Sequence, residues 1–468
     1  MSLFHGENHM RFLIECTYVY EHPEANSGIQ RVVRNIIAQL GSQQTAVECI
    51  PVMMNGGQIY QVLSLAPLTV ENGLTRRQAW IVKVDHLRNR YWWWHSRLER
   101  LWPFRSSKTA RRLLYWPCKV ASLLITLPLR GLLRINRNSP PAPQRAVPLQ
   151  AQAGDQLILL DSSWHADFFP MAERLKSEGV GIISVVYDLI PLTHPQFCDA
   201  GLVKVFDRWF DWIAETADGF MAISKTISQQ VEAEIQRRLG SEEAAKRWHG
   251  HFHLGSELDL LREGQGVDAN LLDMFSDPAP VYLMVSTVEP RKNHAYLLDA
   301  FELLWANGSD TRLCIIGKVG WKCDALIARI KQHPLLNKQL FMFNQINDKG
   351  LEYAYANARA LVFPSHVEGF GLPLVEAMQR GLPAMASDIP VFREVGRDFM
   401  VYFDLTTPQS LANQVMQFES SGKFPSLKPI SDWQWIGWSE ASQQLIDGTL
   451  EGLRNHTSHS RHPNAHCS

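Results

Sequence analysis

The sequence predicts an α/β protein built from two doubly wound parallel sheets, and three observations support this. The chain of 468 residues is longer than one hydrophobic core usually supports, so two domains are expected. Short apolar runs typical of buried strands alternate with segments of helical periodicity. This alternation runs twice, on either side of Asp277-Pro-Ala-Pro. Alternating strands and helices imply a parallel sheet covered on both faces, so each half is expected to form one such domain.

The N-terminal domain is predicted to cover residues 10–277. Its candidate strands are short apolar segments, at residues 11–16, 156–160, 181–186 and 219–223. Its candidate helices have helical apolar spacing, at residues 29–40, 202–214 and 227–238. Residues from about 76 to 150 break this rhythm and are expected to form an insertion. The insertion ends in a proline-rich linker at residues 138–148.

The C-terminal domain is predicted to cover residues 278–432. Its candidate strands lie at residues 281–285, 312–316, 340–343, 360–363 and 383–386. Its candidate helices lie at residues 294–305, 351–358 and 374–380. Residues 433–454 contain an amphipathic helix that is predicted to cross back to the N-terminal domain. The polar tail at residues 455–468 contains four histidines and is expected to be disordered.

The insertion is strongly basic, since residues 76–145 contain 16 Lys and Arg against two acidic residues. It also holds six tryptophans and a ten-residue apolar stretch at 120–129, which is shorter than the about 20 residues needed to cross a bilayer. Basic residues with tryptophans and short apolar runs favour peripheral contact with an anionic membrane. Two alternatives remain: the segment packs on its own domain, or it forms a nucleic-acid patch. No base-reading motif accompanies the charge, so no nucleic-acid partner is predicted.

Composition places the chain among globular proteins, with 46% hydrophobic and 20% charged residues. The seven cysteines include no CxxC pair, which favours core thiols in a reducing compartment over disulfides or metal ligands. The first ten residues are polar and do not resemble a secretory signal, and the native start could be either Met1 or Met10. We therefore expect a cytoplasmic protein, peripheral on the cytoplasmic face of the inner membrane.

The segment from Pro364 to Ala377 carries the clearest functional signal. Two glutamates, Glu368 and Glu376, flank a glycine-rich turn that follows an apolar strand and opens a helix. Glycines allow close backbone approach, and a helix N-terminus favours a phosphate. Ionised carboxylates accept hydrogen bonds from hydroxyl groups. A phosphate beside a polyol describes a nucleotide sugar.

A second signal is the pair Arg291 and Lys292, which follows the predicted strand at 281–285. Ligands of doubly wound sheets bind at the carboxyl ends of strands, so this pair should face the same crevice as the glycine turn. Adjacent cations there fit a diphosphate. Considered alone, the pair could equally be a surface helix cap with ordinary salt bridges.

Several motifs together resemble the family-four retaining glycosyltransferases, which have the GT-B fold of two Rossmann-like domains facing a cleft. They are Glu289-Pro-Arg-Lys-Asn-His, Gly317-Lys-Val-Gly-Trp, Pro364-Ser-His-Val-Glu-Gly-Phe-Gly-Leu-Pro-Leu-Val-Glu-Ala-Met and Asp388-Ile-Pro-Val-Phe-Arg-Glu-Val. The resemblance is strongest to bacterial mannosyltransferase-like members that build surface polysaccharide. In the N-terminal half it is thinner: Ser27-Gly-Ile-Gln-Arg, Tyr187-Asp-Leu-Ile-Pro-Leu, Ala222-Ile-Ser-Lys and Leu254-Gly.

The resemblance implies roles for individual residues. Arg291 and Lys292 would neutralise the departing diphosphate, Glu368 would contact donor-sugar hydroxyls, and Glu376 would hold the ribose. The residues implied for donor binding are Gly28, Gly317, Gly369, Phe370, Gly371, Leu372 and Glu376. Gly28 would bring backbone close to the diphosphate, and the loop after Gly317, with Gln345-Ile346, would flank the base.

One position departs from the family pattern, because many relatives carry His-Asp where this chain has Tyr187-Asp188. If that histidine assists the reaction, its role is lost here or moved to Asp188, Tyr187, His165 or His194. Asp188 follows a strand end and is the predicted catalytic candidate, although it could simply cap a loop.

The predicted reaction is transfer of a mannose-like hexose with retention, by front-face attack of the acceptor hydroxyl. Electrostatic stabilisation of the leaving nucleoside diphosphate would carry catalysis. A retaining glycosidase needs two carboxyls about 5–5.5 Å apart, and Glu376 lies too far along its helix from Glu368 for that. No Asp-x-Asp clamp is apparent, so no metal or other cofactor is expected beyond the donor.

The resemblance favours GDP-mannose or a related GDP-hexose as donor. The acceptor is expected to be a glycan or lipid-linked intermediate of surface polysaccharide or lipopolysaccharide synthesis. Two other classes remain open: a sugar-nucleotide epimerase of the same fold, and an inactive glycan-binding scaffold.

Overall fold

The computed structural model describes residues 10–40 except 24 and 26, 47–66, 144–257 except 166 and 167, 266–344 and 346–460, with isolated positions between 67 and 143. The described chain forms two α/β domains, each around its own largely parallel sheet, which confirms the predicted fold class. The predicted membrane-contacting segment at 76–145 lies outside the described residues, apart from isolated positions and its last two residues. Within the described residues no helix is long and apolar enough to cross a bilayer.

The N-terminal sheet has eight strands in the order β4-β3-β2-β1-β5-β6-β7-β8. The strands are β1 (Arg11–Glu15), β2 (Glu48–Asn55), β3 (Gln58–Val62), β4 (Ala146–Leu149), β5 (Gln156–Leu159), β6 (Gly181–Val186), β7 (Gly219–Ala222) and β8 (Trp248–His251). Strands β2, β1 and β5 to β8 run parallel, whereas β3 is antiparallel to both β2 and β4. Gly56 and Gly57 both have positive φ, as a tight β2–β3 hairpin requires.

Strands β2, β3, β4 and β8 were not among the predicted elements. The end of the predicted linker at 138–148 is part of a strand instead. Ala146 to Leu149 form β4 and pair with Val62 to Ile59 of β3. The insertion therefore leaves the sheet after β3 and returns directly into β4.

The helices of the N-terminal domain cover both faces of this sheet. They are α1 (Thr17–Glu21), α2 (Gly28–Leu40), α3 (Phe169–Ser177), α4 (Ile190–Thr193), α5 (Ala200–Thr216), α6 (Lys225–Leu239) and α7 (Ser241–Ala244). Side-chain caps mark two of their starts: Asp199 accepts from the Gly201 N–H before α5, and Ser224 accepts from the Ile227 N–H before α6. Short 3₁₀ turns lie at Ser163–His165 and Pro195–Phe197.

The C-terminal sheet has six parallel strands in the order β11-β10-β9-β12-β13-β14. The strands are β9 (Val281–Val285), β10 (Arg312–Ile316), β11 (Leu340–Phe343), β12 (Ala360–Phe363), β13 (Ala384–Ser387) and β14 (Val401–Phe403). The order reverses between β9 and β12, so the loops after these two strands diverge and leave a crevice, the usual ligand position in such sheets.

The remaining helices are α8 (Ala269–Ser276), α9 (His294–Ala306), α10 (Asp324–Gln332), α11 (Asp348–Asn357), α12 (Leu372–Gln379), α13 (Pro390–Gly396), α14 (Pro408–Ser421) and α15 (Trp438–Ser460). Further 3₁₀ turns lie at Pro290–Lys292, Arg397–Phe399 and Ile430–Asp432. Helix α8 precedes the predicted boundary at 277, yet it packs against α11 of the C-terminal domain.

Helix α15 packs against α2, β7 and β8 of the N-terminal domain. Its buried residues include Ala441, Leu445 and Ile446, and the Trp438 N–H at its start donates to Glu257 at 2.7 Å. The helix ends at Ser460, so residues 455–460 belong to it rather than to the predicted tail. Helix α15 thus ties the two domains together.

Candidate active site between the two domains

A cavity of about 790 Å³ lies between the domains, at the carboxyl ends of the strands of both sheets. Nine of the predicted site residues line it: Gly28, Asp188, Arg291, Lys292, Glu368, Gly369, Phe370, Gly371 and Leu372. Two predicted residues, Gly317 and Glu376, are not among the lining residues. The structure therefore brings together most of what the sequence pointed to, from loops of both domains.

The glycine turn before α12 is shaped by its glycines. Gly371 holds the left-handed conformation with φ 102°, at the position where α12 is capped. A Cβ on Gly369 would lie 2.2 Å from the Tyr187 carbonyl oxygen, so this glycine lets the two domains touch. The Ser224 hydroxyl also donates to the Gly369 carbonyl at 3.0 Å. The turn is therefore both a wall of the cavity and a contact between domains.

Glu368 is the centre of a buried charge cluster. Its Oε2 lies 2.7 Å from Arg291 Nη1, its Oε1 pairs with Lys292 Nζ, and the Ser365 hydroxyl donates to Oε1 at 2.8 Å. Burial opposes the charged carboxylate, but Arg291 and Lys292 outweigh it and lower the pKa of Glu368 to about 2. Glu368 is therefore ionised at neutral pH and can only accept hydrogen bonds.

A second buried carboxylate, Glu289, holds Arg291 from the other side. Its Oε1 lies 2.7 Å from Arg291 Nε, and the residue is 4% exposed. Burial raises the pKa of Glu289, although the positive charges of Arg291 and Lys292 act to lower it. Arg291 is thus clamped between two carboxylates, which fixes its direction along the cavity wall.

Tyr187 and Asp188, where the sequence departs from the family pattern, have different roles. Tyr187 is 5% exposed and its hydroxyl donates to the Leu160 carbonyl at 2.7 Å, so the phenol is committed to the interior of its own domain. Asp188 lines the cavity and also accepts the Ile190 N–H at 2.9 Å, so it caps the loop and faces the site. Burial raises the pKa of Asp188, with Arg291 opposing.

Of the two histidines named as alternatives, His194 does not line the cavity. His194 contacts the Thr193 hydroxyl at 2.9 Å and stacks on Phe197, and the side chain of His165 lies outside the described part. His366 stacks on the same phenylalanine, with its ring centroid 5.2 Å from that of Phe197. Asp188 remains the candidate at this position.

Glu376 lies behind the cavity wall, 1% exposed. Arg31 of the N-terminal domain lies 2.6 Å from its Oε1, and the Tyr355 hydroxyl donates to Oε2 at 2.9 Å. Arg31 itself lines the cavity. The motif that ends at Arg31 is visible in the sequence, but no local pattern indicates that Arg31 pairs with Glu376, 345 positions away.

Gly317 is explained by packing. A Cβ there would lie 1.8 Å from the Ser286 carbonyl oxygen, so the glycine lets the loop after β10 run against the end of β9. Trp321, four residues later, lines the cavity, and its indole N–H donates to the Phe197 carbonyl at 2.9 Å. Ile346 does not line the cavity, and its neighbour Gln345 lies outside the described residues. This loop is a further bridge between the domains that the sequence did not reveal.

Glu394 of α13 forms another bridge. It accepts the Lys225 and Thr226 N–H groups at 2.7 and 2.9 Å, and His253 Nε2 lies 2.8 Å away. Burial opposes ionisation, but these hydrogen bonds lower the pKa of Glu394 to about 2. A carboxylate of one domain thus caps helix α6 of the other. Among the residues described, no group of three or more His, Cys, Asp or Glu side chains is arranged to hold a metal ion.

Comparison with known proteins agrees with this architecture. Residues 275–427 match the family described as glycosyl transferases group 1. The chain is 34% identical over 304 residues to the serotype-specific mannosyltransferase WbdA of Escherichia coli, a match that covers 64% of this chain and 37% of that protein. It is 30% identical over 172 residues to the O-antigen chain mannosyltransferase B of Escherichia coli, covering 35% and 44% of the two chains. The chain therefore spans well under two thirds of the length of these relatives.

Among solved structures, the sucrose-phosphate synthase of Thermosynechococcus elongatus superposes with a TM-score of 0.50 over 97% of this chain and 98% of that one. At 16% identity this likeness concerns the fold alone. Two Rossmann-like domains facing one cavity are the GT-B fold, and the C-terminal one, at residues 275–427, matches the model of the glycosyl transferases group 1 family.

Proposed function

We propose that the protein is a retaining glycosyltransferase that moves a mannose-like hexose from a nucleotide sugar, with GDP favoured, to a glycan or lipid-linked acceptor of surface polysaccharide or lipopolysaccharide synthesis. The observation that carries the proposal is the convergence of Arg291, Lys292, Glu368 and the glycine turn on one cavity between two Rossmann-like domains. The names of the relatives, a serotype-specific mannosyltransferase and an O-antigen chain mannosyltransferase, support mannose as the sugar and surface polysaccharide as the product.

Donor binding would use the crevice between β9 and β12. The leaving diphosphate would lie against Arg291 and Lys292, with the N-terminus of α12 contributing its orphan N–H groups. Glu368 would accept hydrogen bonds from donor-sugar hydroxyls while it orients both cations. The ribose contact of Glu376 stays a prediction, and it requires a change in the ion pair with Arg31.

Catalysis would rest on electrostatics rather than on a carboxylic acid. Because the pKa of Glu368 lies far below neutral pH, Glu368 is a carboxylate under working conditions and has no proton to give to the leaving group. The charge that develops on the diphosphate would instead be met by Arg291 and Lys292 in a site of low dielectric. Asp188, the carboxylate on the opposite wall, is proposed to accept the proton of the attacking acceptor hydroxyl on the same face as the leaving group.

The proposal also covers the cofactor requirement, the location of the protein and its contact with the membrane. No metal or other cofactor is required, and the protein acts in the cytoplasm, with residues 76–145 contacting the anionic inner face of the membrane. The basic charge and tryptophans of that segment support the membrane contact.

The test is a transfer assay with GDP-mannose, GDP-fucose, UDP-glucose and UDP-N-acetylglucosamine as donors and octyl α-mannoside as acceptor, in excess chelator. We expect transfer from a GDP-hexose with the anomeric configuration of the donor kept, which for GDP-mannose is an α-linked product, identified by NMR of the anomeric carbon. Lys292→Gln should lower kcat by roughly 10²–10³-fold. Lys428→Gln, at an exposed lysine far along the chain, serves as the matched control.

Each alternative predicts a different outcome. Conversion or release of the donor sugar without acceptor would support the epimerase or a hydrolase instead. A product whose anomeric configuration is opposite to that of its donor would refute retention. Activity restored only by a divalent ion would refute the metal-free mechanism. Binding of oligosaccharide with no turnover of any donor would support the inactive scaffold.

A further inference from the structure

The ion pair between Arg31 and Glu376 joins the two domains at one end of the cavity. Arg31 lies in the first turns of α2, and its guanidinium Nη2 is 2.6 Å from Glu376 Oε1 on α12. The two ends of this pair differ in environment, because the Arg31 side chain is 18% exposed and lines the cavity, whereas that of Glu376 is 1% exposed. A ligand in the cavity therefore meets the cation first.

The N-termini of the two helices that carry this pair lie close together at the cavity wall. A Cβ on Gly28, the first residue of α2, would lie 3.9 Å from Leu372 Cδ1, at the first residue of α12. Helix N-termini carry partial positive charge, so an anion bound in the cavity beside both of them is favoured by each. Arg31, one turn into α2, adds a full positive charge beside this place.

The charge balance of the cavity wall shows why a third cation matters. Among the described lining residues the cations are Arg31, Arg291 and Lys292, and the carboxylates are Asp188, Glu289, Asp348 and Glu368. Arg291 is already bound by Glu289 and Glu368, and Lys292 by Glu368. A nucleoside diphosphate brings further negative charge, so its binding calls for the positive charge that Arg31 supplies from the other domain.

We propose that Arg31 is a donor-binding residue supplied by the N-terminal domain, which exchanges Glu376 for the diphosphate of the nucleotide. In this exchange the ribose hydroxyls take the place of Arg31 at Glu376, and the guanidinium turns to the phosphate oxygens. The inference rests on the proposed function, since it assigns a ligand to the same cavity. It makes the diphosphate, rather than the nucleoside, the part of the donor that recruits the N-terminal domain.

The neighbouring Arg34 offers a matched control. It lies on the same helix and donates to the carbonyl oxygens of Pro23 and Ala25 within its own domain, and it does not line the cavity. Removing either arginine lowers the charge of α2 equally. Only Arg31 should distinguish a ligand with phosphates from one without.

The experiment is calorimetric titration of the full chain with GDP and with guanosine, and in parallel with UDP and uridine. For the base that binds, Arg31→Gln should weaken the diphosphate at least tenfold and leave the nucleoside unchanged or tighter, because the competitor for Glu376 is gone. Arg31→Lys should restore part of the diphosphate affinity, and Arg34→Gln should change neither ligand by more than twofold.

Two results with the Arg31→Gln variant would overturn the inference. Equal weakening of nucleoside and diphosphate by Arg31→Gln would mean that the arginine only maintains the structure. Unchanged affinity for both would mean that it does not meet the donor. A wild-type chain that binds neither diphosphate would remove the proposed function itself, and this inference with it, and that outcome is seen before any variant is measured.

Discussion

Substitution of Gly369 by alanine should weaken the closed arrangement of the two domains without unfolding either of them. The new Cβ would lie 2.2 Å from the Tyr187 carbonyl oxygen and 3.2 Å from Asp188 Cβ. Both contacts belong to the other domain, and no positive φ is recorded for this glycine. Since non-bonded atoms settle at about 3.5 Å, the domains must part by about 1 Å at this point.

The size of the effect follows from packing. Forcing one methyl group into a filled contact costs roughly 1–3 kcal/mol. Because the contact exists only between the domains, this free energy shifts the equilibrium between closed and open arrangements, by a factor of roughly 5 to 150. We expect kcat/KM for transfer to fall by about that factor, since Asp188 and Arg291 face each other only when the domains meet.

The assay pairs kinetics with thermal unfolding and small-angle X-ray scattering. Gly266→Ala is the matched control, because a Cβ there meets nothing within 4 Å. The Gly369 variant should have a larger radius of gyration and an unfolding midpoint close to that of the control. A kcat/KM within twofold of wild type, or a midpoint that falls as far as the activity, would refute the reasoning.

Three further predictions use other parts of the site. The Gly28→Ala variant should be as stable as the wild type, because the new methyl group meets only Leu372 Cδ1, at 3.9 Å. It should bind GDP more weakly in calorimetry if the diphosphate approaches this backbone. A GDP affinity equal to that of the wild type would contradict that approach. Glu394→Gln should lower the free energy of unfolding in urea by about 1–2 kcal/mol through the lost interdomain cap, whereas Glu178→Gln, at a 56% exposed position, should not. The free energy of unfolding should be greatest near pH 5. Glu368 and Glu394 have pKa values of about 2 in the folded state, so their contribution to stability is lost as pH falls from about 4.5 toward 2. Burial and Asp161 raise the pKa of Glu15 to about 8, so this residue makes stability fall as pH rises from about 4.5 toward 8. Urea titrations from pH 3 to 9 would measure this curve, Glu15→Gln should flatten its alkaline side, and a steady rise from pH 5 to 8 would contradict it.

The C-terminal domain was predictable because its signals are local. Each of its first five strands is a short apolar run, and the residues that follow β9 and β12 carry the site. The geometry of parallel sheets then places Arg291, Lys292 and Glu368 together without knowledge of any distant contact. All three line the cavity, as this rule implies.

The edge of the N-terminal sheet was missed for physical reasons. Strand β2 contains Pro51, a residue that lacks the ladder N–H and argues against a strand when only the sequence is considered. Strand β4 pairs with β3 across the whole basic insertion, so its partner is far away in sequence. Both strands are stabilised by pairing that no local pattern encodes.

The two glutamates of the glycine turn show the same limit within the site. In sequence they are equivalent carboxylates eight positions apart. In the structure Glu368 faces the cavity and binds the two cations of its own domain, whereas Glu376 is buried and binds a cation of the other domain. Helical geometry separates them, but only the docking of the N-terminal domain assigns Arg31 to the second one.

This division gives the turn a meaning beyond ligand binding. Gly369 touches Tyr187, Leu372 faces Gly28, and Glu376 pairs with Arg31, so one short segment contacts the N-terminal domain at three separate points. The same segment holds Glu368 and the helix N-terminus where the donor is proposed to bind. A ligand that shifts this turn by a fraction of an ångström must therefore alter the domain contact, and a change in the domain contact must alter the ligand's affinity by the same factor. Donor binding and domain closure would thus be coupled through a single turn, with no longer pathway required.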